Sequence, residues 1–151
     1  MNVGIASDHR GFKLKQKMTK YLSKKKYNVI DYGTDSTTMV DYPDYVLKLG
    51  NGLNNKEIDL GVVICGSGIG VSIFANKIKN IRCAKVDNTK EAKLSRQDNN
   101  ANVIALNGTM SSIKAKDLID AFLKTPFSNI ERHNKRIEKI SKYEQEGTLW
   151  V

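Results

Sequence analysis

Apolar positions along the chain follow two rhythms. Short runs rich in apolar residues occupy 1–7, 28–32, 61–64, 81–86 and 103–106, and they are closed in turn by Asp8, Gly33, a cysteine with a glycine turn, Asp87 and Asn107. Short runs of this kind, bounded by turn residues, predict strands buried on both faces. Between them apolar residues recur at helical spacing. Leu14, Met18, Tyr21 and Leu22 form one such stripe, with lysines on the opposite face. Asp41-Tyr42-Pro43-Asp44 reads as a helix start with Pro43 in the first turn, followed by a weaker stripe of Tyr45, Val46, Leu49 and Leu53 that Gly50 and Gly52 interrupt. A helix is predicted from Val71 onward and another over residues 90–96. Ile113, Leu118, Ile119, Phe122 and Leu123 make a strongly amphipathic helix that stops before Pro126. The last helix begins near residue 129 and carries Ile130, Ile137, Ile140 and Tyr143 on one side, ahead of a Leu149-Trp150-Val151 tail that docks or frays.

Strands alternating with helices imply right-handed crossovers. The predicted fold is a doubly wound, Rossmann-like α/β domain: a five-stranded parallel sheet with helices on both faces, spanning residues 1–151 as one domain. Ligands in such sheets gather at the carboxyl ends of strands. Three polar clusters are assigned to such ends: Asp8-His9 after the first strand, Cys65 with its glycines after the third, and Asp98-Asn99 just before the fifth.

Composition narrows the function classes. A chain of 151 residues can bury a real core without staples, and its two cysteines, Cys65 and Cys83, form neither a disulfide framework nor a zinc motif. No apolar run reaches membrane-spanning or signal-peptide length, so a reducing cytoplasm is the expected location. The net charge of +9 raises nucleic acid as a partner. Its lysines, however, are scattered over helices at Lys13, Lys15, Lys17, Lys20, Lys24, Lys25 and Lys26, rather than grouped as arginine with aromatics for base stacking. Such a field instead draws a small phosphorylated substrate from solution.

The richest stretch runs from Gly61 through Cys65 and Gly66-Ser67-Gly68-Ile69-Gly70 to Val71. Strand, thiol, glycine turn and helix follow at once. Glycines let successive N–H groups turn toward one point, and a helix start adds unpaired N–H groups and a positive dipole end. Such a turn holds an anion or a developing oxyanion. A cysteine closing a buried strand is ordinarily inert core, yet at the lip of this field its thiolate form is favoured. A thiolate base beside N–H donors suits proton abstraction next to a carbonyl. Arg132 and Arg136, at i and i+4 with His133 between, offer either a solvated basic face or a phosphate clamp. Gly66-x-Gly68 followed by Asp87 also mimics a dinucleotide-binding fingerprint, but the third glycine falls at Val71 and the motif sits on the third strand.

Taken in order, Asp8-His9-Arg10-Gly11-Phe12, Asp31-Tyr32-Gly33-Thr34, Asp41-Tyr42-Pro43, Ile64-Cys65-Gly66-Ser67-Gly68-Ile69-Gly70, Ala75-Asn76-Lys77, Ser95-Arg96-Gln97 with Asn99-Asn100-Ala101-Asn102-Val103, and Arg132-His133 with Arg136 resemble the type B ribose-5-phosphate isomerases. That family also includes galactose-6-phosphate isomerase subunits and allose-6-phosphate isomerase. The resemblance implies aldose–ketose isomerisation of a sugar phosphate through a cis-enediolate, without metal or organic cofactor. By similarity, Cys65 would move the proton between C1 and C2, and the backbone of Gly66, Ser67, Gly68, Ile69 and Gly70 would cradle the enediolate oxygen. Asp8, Tyr42 and Asn99 would hold sugar hydroxyls, while His9, Arg132 and Arg136 would reach the phosphate. The family's dimers and tetramers build the site across a subunit interface, so the helix over about 129–145 would serve a neighbour.

Two positions depart from the family pattern. Asp98 stands where ribose enzymes place a histidine that opens the furanose ring, and an aspartate takes that role only if its pKa rises well above the reference value of about 3.9. Thr109 stands where another phosphate-binding arginine is usual, a loss worth about 1.5–3 kcal/mol of binding. Ser67 in place of the commoner threonine keeps the hydroxyl. Three readings follow: a ribose-5-phosphate isomerase, the same chemistry on a hexose 6-phosphate, or a sugar-phosphate binding protein with impaired catalysis.

Overall fold

A computed structural model describes residues 1–147, and the tail of Leu149, Trp150 and Val151 lies outside them. The elements run β1 (Asn2–Ser7), α1 (Phe12–Lys24), β2 (Asn28–Asp31), α2 (Tyr42–Asn54), β3 (Leu60–Cys65), α3 (Ile69–Ala75), β4 (Cys83–Lys85), α4 (Thr89–Gln97), β5 (Val103–Asn107), α5 (Ser112–Lys124) and α6 (Glu131–Glu146). All strand pairs are parallel and the order across the sheet is β2-β1-β3-β5-β4. The predicted doubly wound sheet is the one observed.

The central strands are apolar because both their faces are covered. Val62, Val63 and Ile64 of β3 have no exposed surface. On one face they meet Leu14, Met18 and Leu22 of α1, Ala92 of α4, and Leu118, Ile119 and Phe122 of α5. On the other they meet Val46 and Leu49 of α2 with Val71 and Ala75 of α3. Phe122 is wholly buried, so its truncation to alanine costs about 3–5 kcal/mol and would loosen α5 first.

Element ends differ from the sequence reading where side chains replace ladder bonds. The fourth strand is Cys83–Lys85 rather than 81–86, since the Arg82 N–H is taken at 2.8 Å by the Asn102 side-chain oxygen and the Asn76 amide brackets Cys83. α3 begins at Ile69, two residues earlier than predicted, because left-handed Gly68 (φ 77°) turns the chain directly into the helix. α2 starts as predicted, with Asp41 at its N-cap and proline in its first turn.

One charged pair joins the core to the surface. Lys15 of α1 is 2% exposed and pairs with Asp31 at the end of β2. The same carboxylate accepts the Gly33 N–H at 2.8 Å, while Ser7 N–H donates to the Gly33 carbonyl at 2.7 Å and Thr34 N–H to the Ser7 carbonyl at 2.8 Å. The pair therefore fastens the segment after β2 to the end of β1. α6 is different: of its residues only His133 is buried, and Ile140 and Tyr143 are about half exposed, as are Ile69 and Ile73 of α3.

Candidate active site

Strand order reverses between β1 and β3: the chain leaves β1 for β2 on one side and returns to β3 on the other. Ligand crevices of doubly wound sheets open at this point, outside the carboxyl ends. Asp8 and Cys65 stand at those two ends. Asp8 is buried, and its Oδ1 accepts the N–H groups of Arg10 and Gly11, both at 2.9 Å, which turns the chain into α1. Its Oδ2 has no partner among the described residues and is the oxygen left for a ligand hydroxyl. His9 Nδ1 accepts the Val40 N–H at 3.3 Å. In the neutral ring that assigns the proton to Nε2, a donor suited to an anion.

Cys65 is buried, yet its sulfur faces the glycine turn, where Sγ accepts the Gly68 N–H at 3.2 Å. The Ile69 N–H goes to the Ser67 hydroxyl at 3.2 Å. The first-turn N–H groups of Gly70 and Val71 have no intrahelical acceptor and carry the positive end of the helix dipole. Gly70 is needed for proximity: a Cβ there would lie 2.8 Å from the Tyr42 ring and 3.0 Å from its hydroxyl oxygen. Tyr42, Cys65 and the turn of Gly66, Ser67, Gly68, Ile69 and Gly70 thus share one corner with Asp8 and His9. Cys83 is the other thiol, and burial pushes its pKa up to about 12, which keeps it protonated.

Asp98 and Asn99 are not in this corner. They follow α4 and precede β5, so in a parallel sheet they lie at the amino edge, a full strand away from Cys65. Their assignment to a carboxyl end is corrected accordingly: β5 pairs Val103 with Gly61 and Asn107 with Cys65, and its five residues rise about 3.3 Å each. At that edge the start of α6 joins them. His133 Nδ1 lies 3.5 Å from Asp98 Oδ1, 3.2 Å from Ser128 Oγ and 3.4 Å from the Gln97 carbonyl, while Arg132 Nε donates to His133 Nε2 at 3.1 Å. With Nε2 accepting, the ring proton sits on Nδ1 and points at three oxygens. Arg136 follows Arg132 by one helical turn.

The candidate residues therefore fall into two groups at opposite edges of the sheet. One holds Asp8, His9, Tyr42, Cys65 and the glycine turn; the other holds Asp98, Asn99, Arg132 and Arg136. Two further residues join them without having been singled out. His133 is the buried anchor of α6, and Arg10 lays its guanidinium against Gly66, where a Cβ would come within 2.7 Å of Nε. His133 was legible only as a neighbour of two arginines, and Arg10 only as part of a motif. Among the described residues no group of three or more His, Cys, Asp and Glu could hold a metal ion, and no helix is long and apolar enough to cross a membrane.

Residues 3–140 match the sequence family described as Ribose/Galactose Isomerase. A probable ribose-5-phosphate isomerase B of Mycoplasma genitalium is 40% identical over 148 residues, covering 96% of this chain and 97% of that protein. The structure of ribose-5-phosphate isomerase B from Clostridium thermocellum superposes with a TM-score of 0.94 at 42% identity, over 98% of this chain and all of the other. That of the Mycoplasma genitalium enzyme with bound ribulose-5-phosphate gives 0.89 at 40% identity, over 96% and 97% of the two chains.

Proposed function

This chain belongs to the ribose/galactose isomerase family and is an aldose–ketose isomerase, and from that premise we propose that it interconverts ribose 5-phosphate and ribulose 5-phosphate with Cys65 as the base. The observation that carries the proposal is the Cys65 sulfur held at the mouth of the glycine turn by the Gly68 N–H. The thiolate takes the C2 proton of the open aldose, and the C–H electron pair becomes the C1–C2 double bond of a cis-enediolate. The oxygen that gains charge is met by the Gly70 and Val71 amides and the helix dipole. Return of the proton to C1, with a hydroxyl proton passing from O2 to O1, completes the ketose. Asp8 Oδ2 and the Tyr42 hydroxyl hold the sugar in line.

Partition of the remaining groups supports a homo-oligomer. Asp98, Asn99, Arg132 and Arg136 face the opposite edge of the sheet from Cys65, so a second copy must bring its amino edge to the carboxyl edge of the first. The half-exposed apolar side chains of α3 and α6 supply surface for that contact. In this arrangement Asn99 completes the hydroxyl contacts, Arg132 and Arg136 meet the phosphate that His9 meets from the other chain, and Asp98 approaches the ring oxygen. Ring opening with a carboxylate in this place favours a second reading, the same enediolate chemistry on a hexose 6-phosphate. Parallel assays of ribose 5-phosphate, allose 6-phosphate and galactose 6-phosphate decide between them. Turnover of a hexose phosphate alone would replace the pentose reading, and binding without turnover of any would leave a sugar-phosphate binding protein.

A further inference from the structure

Arginines in this chain are mostly committed. Arg82 Nε donates to the carbonyls of Asn99 and Asn100, Arg96 reaches Thr125, Asn100 and Ala101, and Arg132 donates to His133. Arg136 and Arg10 are not: the Arg10 backbone N–H caps onto Asp8, and its guanidinium has neither hydrogen bond nor ion pair among the described residues. The residue is exposed, and its guanidinium rests on backbone. It lies on Gly66 so closely that a Cβ at this glycine would stand 2.7 Å from Nε, 2.8 Å from Cζ and 3.0 Å from Nη1. The rim beside it is equally tight, since a Cβ at Gly108 would stand 2.9 Å from the Arg10 carbonyl oxygen and 3.1 Å from that of Cys65. A seated cation without an anion borders the candidate site.

Its place also says which part of a substrate it meets. Arg10 directly follows His9 in the chain, and its guanidinium rests on Gly66, the residue after Cys65. A sugar that presents C1 and C2 to Cys65 carries its phosphate at the far end of the carbon chain. Resting on the isomerase reading above, we propose that Arg10 is a further substrate-binding residue, gripping the phosphate from the same subunit that supplies Cys65, next to His9. The planar fork offers paired N–H donors to two phosphate oxygens. Thr109, on the adjoining rim, carries no charge and spends its hydroxyl on Asn107 at 2.7 Å, so Arg10 is the cation available on this side.

The test uses the full chain, Arg10→Ala, Arg10→Lys, and two ligands. Arg10→Ala is expected to raise KM for ribose 5-phosphate about ten- to a hundredfold, the factor a hydrogen bond to a charged group carries, while kcat falls by less. Arg10→Lys keeps the charge without the fork and should recover part of the loss. Calorimetric titration with inorganic phosphate needs no turnover and should weaken at least tenfold in Arg10→Ala. If phosphate binding weakens in this way but no sugar phosphate is isomerised, the isomerase reading falls and the Arg10 site stands. Equal KM and equal phosphate affinity in Arg10→Ala and its parent would overturn the proposal, as would a parent chain that binds neither ligand.

Discussion

Cys65 Sγ accepts the backbone N–H of Gly68 at 3.2 Å, so the sulfur is itself the first guest of the glycine turn. That bond fixes the sulfur at the mouth of the turn. Cys65→Ala is expected to reduce isomerisation about 10²- to 10⁴-fold, the range general-base removal costs, with sugar-phosphate affinity and melting temperature close to the parent. Turnover and calorimetry on the same preparation check this, and undiminished turnover would remove the sulfur from the reaction. Gly68→Ala should fail differently, through the fold of the turn: at φ 77° a Cβ is strained and would meet the Leu106 carbonyl carbon at 2.9 Å.

Asp98, with its side chain 42% exposed, lies beside a buried histidine. His133 Nδ1–H faces its Oδ1 at 3.5 Å while Arg132 occupies the other ring nitrogen. If ring opening limits the native enzyme, Asp98→His should raise kcat on ribose 5-phosphate, because an imidazole near its ordinary pKa can both take and return a proton. The same variant assayed on the open-chain ketose should change little. An equal rate on both substrates means that water or another group opens the ring.

Most of the sheet was legible in the sequence because burial on both faces leaves β3, and β5 up to its last residue, no polar positions, and an uninterrupted apolar run closed by a turn has few other meanings. α2 was legible from Asp41 and Pro43, and α5 from its stripe. The glycine turn announced itself by glycines at 66, 68 and 70. Asp98 and Asn99 were misplaced for a reason of direction: in a parallel sheet everything that precedes a strand lies at the amino edge, opposite everything that follows one. Arg10 and Lys15 were hidden for another reason. Arg10 owes its seat to Gly66, 56 positions on and without local trace. Lys15 sits beside Leu14 and Met18 in the buried arc of α1, yet among so many lysines it reads as one more solvated charge.

Because the two groups of candidate residues occupy opposite edges, the proposed homo-oligomer predicts that two inactive variants repair one another. Cys65→Ala and Arg136→Ala disable different groups, and mixing them after partial unfolding lets a mixed dimer form with one intact site. With random pairing half of the dimers are mixed and half of their sites are whole, so about a quarter of parental activity should return. Activity assayed before and after subunit exchange measures this. No recovery, with mixed dimers demonstrated by mass spectrometry, would place both groups within one chain's own catalytic unit.

Cys83 gives a pH signature of the fold. Its folded pKa is raised by burial to about 12, whereas the unfolded thiol ionises near about 8.5. Between those values the unfolded chain releases a proton that the folded chain keeps, so this residue's contribution to stability is whole below about pH 8.5 and is lost as pH rises toward 12. Denaturant midpoints measured from pH 7 to 10 should fall less in Cys83→Ala than in the parent. In the folded protein at pH 8, iodoacetamide should leave Cys83 unmodified, and it should react once the chain is unfolded.

Lys15 and Asp31 test how a charge in the core serves the site. Removing one partner strands the other: Asp31→Ala leaves an ammonium that is 2% exposed without its counter-ion, and the loss expected is about 3 kcal/mol, the lower end for broken buried pairs because Asp31 itself is 39% exposed. Replacing both by apolar residues of similar size, Lys15→Met with Asp31→Leu, should restore much of the stability, since neither charge then needs desolvating. Activity should not follow stability. The double variant still lacks the carboxylate that accepts the Gly33 N–H, and Gly33 and Thr34 are what bind the backbone of Ser7, one residue before Asp8. A double variant with near-parental melting temperature and a raised KM would assign the pair to positioning Asp8, whereas parental KM would make it a matter of stability alone.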